Sequence, residues 1–212
     1  MKKILLSLLT VALALGFTAC TKPVIEPVED LPVSATLIRH VDYTVRGTSR
    51  DTTYSTGGDK IITGAGYGFK SVQDKDANTF YVSIDAGPHI ANTYGENVVF
   101  VIDKAKLKPG FVGVYSADQQ AATPLYDATY AYSYKSENGS SANLHNLRMG
   151  LQMVGELKIE SYDALRKAIS GSYRLFMRLD TDPLKFTRIM EPEDKCELTV
   201  SGTFLNVKIK QN

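Results

Sequence analysis

The sequence predicts an all-β protein: a single two-sheet β-sandwich, with a flattened β-barrel as the alternative. Three observations lead there. Apolar residues recur with a period of two along most of the chain, as in Phe80, Val82 and Ile84 against Tyr81, Ser83 and Asp85. Turn-forming residues punctuate these runs at short intervals, and only 104–108 and 162–168 have room for a helical turn. Strands with one dry and one wet face, closely spaced and almost without helix, form sandwiches or barrels.

Residues 1–19 read as a signal peptide. Lys2 and Lys3 precede an apolar run from Ile4 to Phe17. That run is shorter than the roughly 20 residues a membrane-spanning helix needs. Phe17-Thr18-Ala19-Cys20 resembles a bacterial lipobox, with Phe17 where Leu is commoner. The resemblance implies acylation of Cys20, a membrane partner through the N-terminal lipid, and, because Thr21 and not Asp follows, the outer membrane. Residues 20–33 then form the lipidated Cys and an extended tether. Pro23, Pro27 and Pro32 stiffen it, and Glu26, Glu29 and Asp30 solvate it.

Residues 34–212 form one β domain. Its strand candidates are 35–46, 60–69, 80–84, 98–102, 111–116, 126–135, 156–160, 169–179 and 196–210. Val98 to Ile102 is continuously apolar and reads as buried on both faces. The turn signals are Gly57-Gly58, Asp74 to Asn78, Gly87-Pro88, Pro109-Gly110, Asn138-Gly139 and Asp182-Pro183. Gly171 and Gly202 fall on the apolar parity of their strands, where a neighbouring backbone or ring can approach. After Phe204 the apolar parity shifts to Leu205, Val207 and Ile209, which calls for a β-bulge near Leu205-Asn206.

The stretch GELKIESYDALRKAISGSYRLFM, followed by CELTVSGTFLNVKI, resembles the C-terminal half of a family of small uncharacterised Bacteroidota lipoproteins. The shared features are an Ile-Ser-Gly-aromatic strand and a closing Ser-Gly-Thr-Phe strand. The resemblance implies a β-sandwich on a lipid anchor and brings no catalytic residues.

Charge excludes one class of partner. Once Lys2 and Lys3 leave with the signal, the 24 basic residues less these two face 23 acidic ones, a formal charge of −1. Nucleic-acid binders need a concentrated basic face. Lys104, Lys106 and Lys108 cluster beside a Lys-Pro-Gly turn and read as a solvated loop. With Cys20 acylated, Cys196 has no disulfide partner.

Several residue groups invite chemistry and lack a second element. His40 and Asp42 share a polar strand face, but no nucleophile elbow accompanies them. His40, His89 and His145 lie too far apart for a spaced zinc set. Asp74, Asp76, Asn78 and Asp85 imitate a calcium loop, yet Thr79 stands where the loop needs Gly. TGAGYGF precedes no helix and reads as a twisted strand. No catalytic residue, metal or cofactor is therefore expected. The one candidate ligand surface is the row Tyr126, Tyr130, Tyr132 and Tyr134, on one parity of one strand. Rings with a polar tip can stack on sugars, although strand tyrosines more commonly cover a sheet. The expectation is a monomeric, non-enzymatic envelope or surface binding module for glycan or protein. The alternative is a structural or assembly subunit acting through an exposed strand edge.

Overall fold

The computed structural model describes residues 29–56, 61–68, 78–87, 94–117, 128–135, 141–146, 150–183, 185 and 192–210. The protein is all-β. Eleven strands are described: β1 (Ser34–Tyr43), β2 (Thr48–Ser55), β3 (Ile61–Tyr67), β4 (Thr79–Ala86), β5 (Tyr94–Asp103), β6 (Gly113–Ser116), β7 (Ala128–Lys135), β8 (Ser141–His145), β9 (Val154–Asp163), β10 (Ala168–Leu179) and β11 (Cys196–Lys210). Short 3₁₀ turns at Lys104–Lys106 and Pro109–Phe111 carry the chain from β5 to β6. Residues 164–167 form a plain turn and not a helical one.

The strands make one strongly curled open sheet, in the order β6-β9-β10-β11-β3-β4-β5-β7-β8. β1 pairs with both β11 and β2, off that path. All but one of the pairings are antiparallel. The exception joins β11 to β3 in parallel through Ile209↔Ala65 and Lys210↔Gly66. The curl lays β2-β1-β11-β10-β9-β6 over β3-β4-β5-β7-β8, an arrangement compatible with a sandwich or a flattened barrel. Phe100 of β5 meets Tyr173 of β10 with ring centroids 5.7 Å apart. Phe111 bridges Phe80 at 5.2 Å and Tyr162 at 4.8 Å.

Period-two alternation builds the core between these faces. Leu37 and Val41 on β1, Phe80, Val82 and Ile84 on β4, Leu175 on β10 and Leu198, Val200 and Phe204 on β11 are all fully buried. Each such side chain contributes about 1.5–3 kcal/mol by leaving water. Val99 is buried as well, on the other face of β5, while Val101 is half-buried. The double burial expected for that run is thus complete at one position and partial at the other. β2 and β8 were not expected. β2 reads TSRDTTYS and has no apolar parity to reveal it.

The inward glycines are where the sequence places them. A Cβ on Gly171 would meet the Lys158 carbonyl oxygen at 2.0 Å and the Phe204 ring at 2.9 Å. One on Gly202 would meet the Thr36 carbonyl oxygen at 2.0 Å and the Tyr173 hydroxyl at 2.7 Å. The bulge is present too. The β10–β11 register moves from Ile169↔Val207 to Gly171↔Phe204, so Leu205 and Asn206 together oppose Ser170. Asn206 takes a positive φ of 56°. Val207 and Ile209 face inward after it, but Leu205 is half-exposed.

The tether is more engaged than its composition suggests. Arg166 Nε donates to the Glu29 carbonyl at 2.9 Å, Lys208 Nζ pairs with Asp30 at 2.6 Å, and Asn206 Nδ2 donates to the Pro32 carbonyl at 2.9 Å.

Gly171→Val and Gly202→Val should each lower the unfolding free energy by about 1–3 kcal/mol, the usual cost of overpacking, despite valine's better strand propensity. The obstacle in both cases is a neighbouring backbone carbonyl, which has no rotamer to escape into. Urea denaturation curves of the two variants would check this. Unshifted midpoints would mean the strands part without penalty.

Candidate functional site

Tyr130 and Tyr132 point into the core, 1% and 8% exposed. As a correction to the stacking reading, this pair of the tyrosine row offers no open face to a ligand. Tyr126 lies outside the described residues, as does the side chain of Tyr134. The reason is local: β7 pairs with β5 and β8, and the parity carrying Ala128, Tyr130 and Tyr132 turns toward β1 and β10.

What those tyrosines surround is a buried ion pair. Arg39 on β1 and Glu96 on β5 are 5% and 2% exposed. Arg39 Nη1 donates to Glu96 Oε1, and its Nη2 donates to Thr52 Oγ1 on β2 at 2.9 Å. The Tyr130 hydroxyl donates to Glu96 Oε2 at 2.9 Å. The Arg39 guanidinium also lies over the Tyr132 ring, 4.6 Å from its centroid. Burial works against the guanidinium's charge, and Glu96 with the two tyrosines outweighs it, so Arg39 stays a cation. Burial, reinforced by Glu96, pushes the Tyr130 phenol well up and keeps it a donor. Both residues sit on the apolar parity of their strands, Arg39 between Leu37 and Val41 and Glu96 before Val98. A charged residue on an apolar parity is the sequence signal of such a pair.

The other expected sites separate into individual residues. His40 faces outward and binds Asp51 of β2 at 2.5 Å, not Asp42. Asp85 sits inside β4 and accepts from the Asn97 side chain, as a strand residue and not a loop ligand. Asp74, Asp76 and His89 lie outside the described residues, as does Cys20. Among the described residues no group of His, Cys, Asp and Glu is arranged to hold a metal. Gly64 and Gly66 lie within β3, where an added Cβ would reach Ser83 Oγ at 2.9 Å or the Lys210 carbonyl at 3.1 Å. Lys104, Lys106 and Lys108 are exposed.

A second polar cluster closes the far end of β1. Asp194 is fully buried and accepts from Arg46 and Lys185, both at 2.6 Å. Beside it the Tyr43 hydroxyl donates to Asp182 at 3.0 Å. Burial and that bond push the Tyr43 phenol up to about 12. Burial, then Asp182 and Asp194, push the Cys196 thiol up to about 12. A thiol so held is protonated at neutral pH and is a poor nucleophile.

The accessible chemistry lies on the outward face of β2, β1, β11, β10, β9 and β6. Register aligns its side chains in rows across the strands. One row runs Asp51, His40, Thr199, Phe176 and Val154, and the next runs Thr53, Ile38, Ser201, Arg174, Glu156 and Ser116. Every one of these residues is exposed or half-exposed.

Two measurements probe the buried groups. Arg39→Met should cost about 3–5 kcal/mol, because it strands the Glu96 charge. Adding Glu96→Leu should recover part of that loss, and a double variant as damaged as the sum of the singles would refute the coupling. The second measurement is stability against pH. Cys196 and Tyr43 are neutral when protonated, and both hold their protons more tightly folded than unfolded. Stability should therefore be complete below about pH 8.5, where the unfolded thiol ionises, and fall as pH rises toward about 12. Cys196→Ala should flatten part of that slope in urea midpoints taken between pH 8 and 11. No family model matches this chain, and no curated protein or solved structure matches it either.

Proposed function

We propose that this protein is an outer-membrane-anchored lipoprotein, acylated at Cys20, that serves as a non-enzymatic binding module of the envelope or surface for glycan or protein. The observation that carries the binding half is the outward face of six strands, from β2 to β6. Its side chains are mostly donors and acceptors in rows, with the apolar Ile38, Val114, Val154 and Phe176 among them, and the described part of the chain lays no other element across it. The anchoring half rests on the Phe17-Thr18-Ala19-Cys20 pattern and on the likeness of the C-terminal half to small Bacteroidota lipoproteins.

The assembly reading has one specific observation in its favour. Among the described residues β2 pairs only with β1, and no described strand lies on the other edge of this eight-residue strand. An open edge accepts a partner strand by main-chain bonding. Arg50 and Asp51 on that strand blunt it, since edge charges discourage strand addition. The face is therefore preferred to the edge.

Cys20→Ala should move the protein from the membrane fraction to the soluble fraction. Mass spectrometry of the wild-type N-terminal peptide should show acyl chains on Cys20. A wild-type peptide without acyl mass would refute the anchor.

A further inference from the structure

One aromatic side chain stands on the outward face beside the aliphatic Val154 and the polar side chains of its own strand. On β10 the outward parity reads Ser172, Arg174, Phe176 and Arg178. Phe176 is half-buried there, away from the core that Tyr173, Leu175 and Met177 enter.

Phe176 lines a groove of about 430 Å³ with Ser116, Val154, Gly155, Glu156 and Arg174. That volume falls within the roughly 300–1,000 Å³ of small-ligand sites. At Gly155, which pairs with the inward Leu175, β9 and β10 run unusually close beneath the groove. The φ of Gly155 is 142°, and a Cβ there would meet the Arg174 carbonyl oxygen at 2.1 Å. Arg174 and Glu156 stand opposite one another in register, both exposed. Among the described residues neither takes part in a salt bridge, although salt bridges form on this same face between Arg178 and Glu197 at 3.0 Å and between Lys158 and Glu160 at 3.1 Å. Arg178 does not line the groove and lies over the Phe176 ring at 5.9 Å, which helps hold the ring in place.

We propose that this groove is a carbohydrate subsite that takes a neutral hexose unit of a polysaccharide. The inference rests on the binding-module reading and names its ligand class and place. The C–H face of the sugar stacks on Phe176, as apolar sugar faces do on aromatic rings. Arg174 donates to ring hydroxyls and Glu156 accepts from them. One cation facing one anion favours a ligand with no net charge. A peptide strand fits less well, since β10, which carries Phe176 and Arg174, is paired on both sides there and offers no main-chain edge.

The test is affinity electrophoresis of the detergent-solubilised protein through native gels containing laminarin, xylan, mannan or dextran. Gels with polygalacturonate and with gelatin run in parallel. At least one neutral polysaccharide should retard the wild type. Phe176→Ala, Arg174→Ala and Glu156→Gln should each weaken that retardation at least tenfold while leaving the thermal midpoint in place. Arg174 and Glu156 are exposed, so their variants remain informative even if Phe176→Ala disturbs the strand. Retardation by a neutral polysaccharide that all three variants preserve would overturn the site and leave the binding-module reading standing. Retardation by no neutral polysaccharide would overturn the site together with the glycan half of that reading. Groove-dependent retardation by polygalacturonate or gelatin alone would overturn the ligand class.

Discussion

The bulge at Leu205-Asn206 is the point on which the curl of the sheet turns. β11 pairs along one edge with β10, from Cys196 to Lys208. Its other edge serves two strands in succession: β1 between Cys196 and Leu205, then β3 at Ile209 and Lys210. A straight strand cannot hand its edge from one neighbour to another that runs off in a different direction. A bulge bends the strand and increases its twist. Asn206 absorbs the distortion at φ 56°, and asparagine tolerates that region better than most residues. Its backbone N–H finds Ser170 Oγ at 3.0 Å instead of a ladder carbonyl. β9 shifts register against β10 beside the same residue, between Ser170 and Gly171. Gly171 therefore has the carbonyl of Lys158 where another residue would carry its Cβ. Eleven strands in a flat sheet would leave one apolar face in water. Curled at this point, the sheet is its own partner.

Closing the sheet on itself creates the problem of aligning two faces that share few main-chain bonds. Apolar packing is strong but nearly non-directional. The Arg39–Glu96 pair is directional, and it joins β1 to β5 across the interior with Thr52 and Tyr130 completing its bonds. Burying such a pair stabilises little in net terms, because desolvation offsets most of the attraction. Its contribution is specificity: a slip of one residue in either strand would turn that strand's charge outward and leave the other buried without a partner. Tyr173 acts on both levels: its ring packs on Phe100 of the opposite face, and its hydroxyl donates to the Thr36 carbonyl within its own, across the gap that Gly202 leaves open.

Strand parity made most of this legible in the sequence, because a half-buried strand must alternate. The inward glycines and the bulge followed from the same rule, as interruptions and reversals of parity in β10 and β11. β2 escaped because it is an edge strand with no apolar residue on either parity to mark it, only the ring of Tyr54. The ion pair escaped for a different reason. Parity tells which face a residue occupies but not which strand lies opposite, and Arg39 and Glu96 are 57 residues apart. The tyrosine row was correctly placed on one parity, yet nothing in YDATYAYSYK tells the inward face from the outward when both parities carry small or polar residues. Phe176 was the complementary oversight, an aromatic ring on a parity otherwise filled by Ser and Arg.

The two departures from parity differ in what physical chemistry demands of them. A charge on the inward face must find a partner or the fold is lost, so Arg39 and Glu96 are explained once they meet. A ring on the outward face carries no such obligation, and a lone exposed aromatic is ordinary. Phe176 differs in its company, an Arg174 and a Glu156 that form no salt bridge among the described residues and that line the same groove. Its position also agrees with the anchor we propose. Residues 29–32 are held at the turn between β9 and β10 and at the bulge, beside Ala168. From Ala168 to Phe176 is eight residues of strand, about 27 Å at ~3.4 Å each. The same two strands that hold residues 29–32 at one end carry the groove at the other.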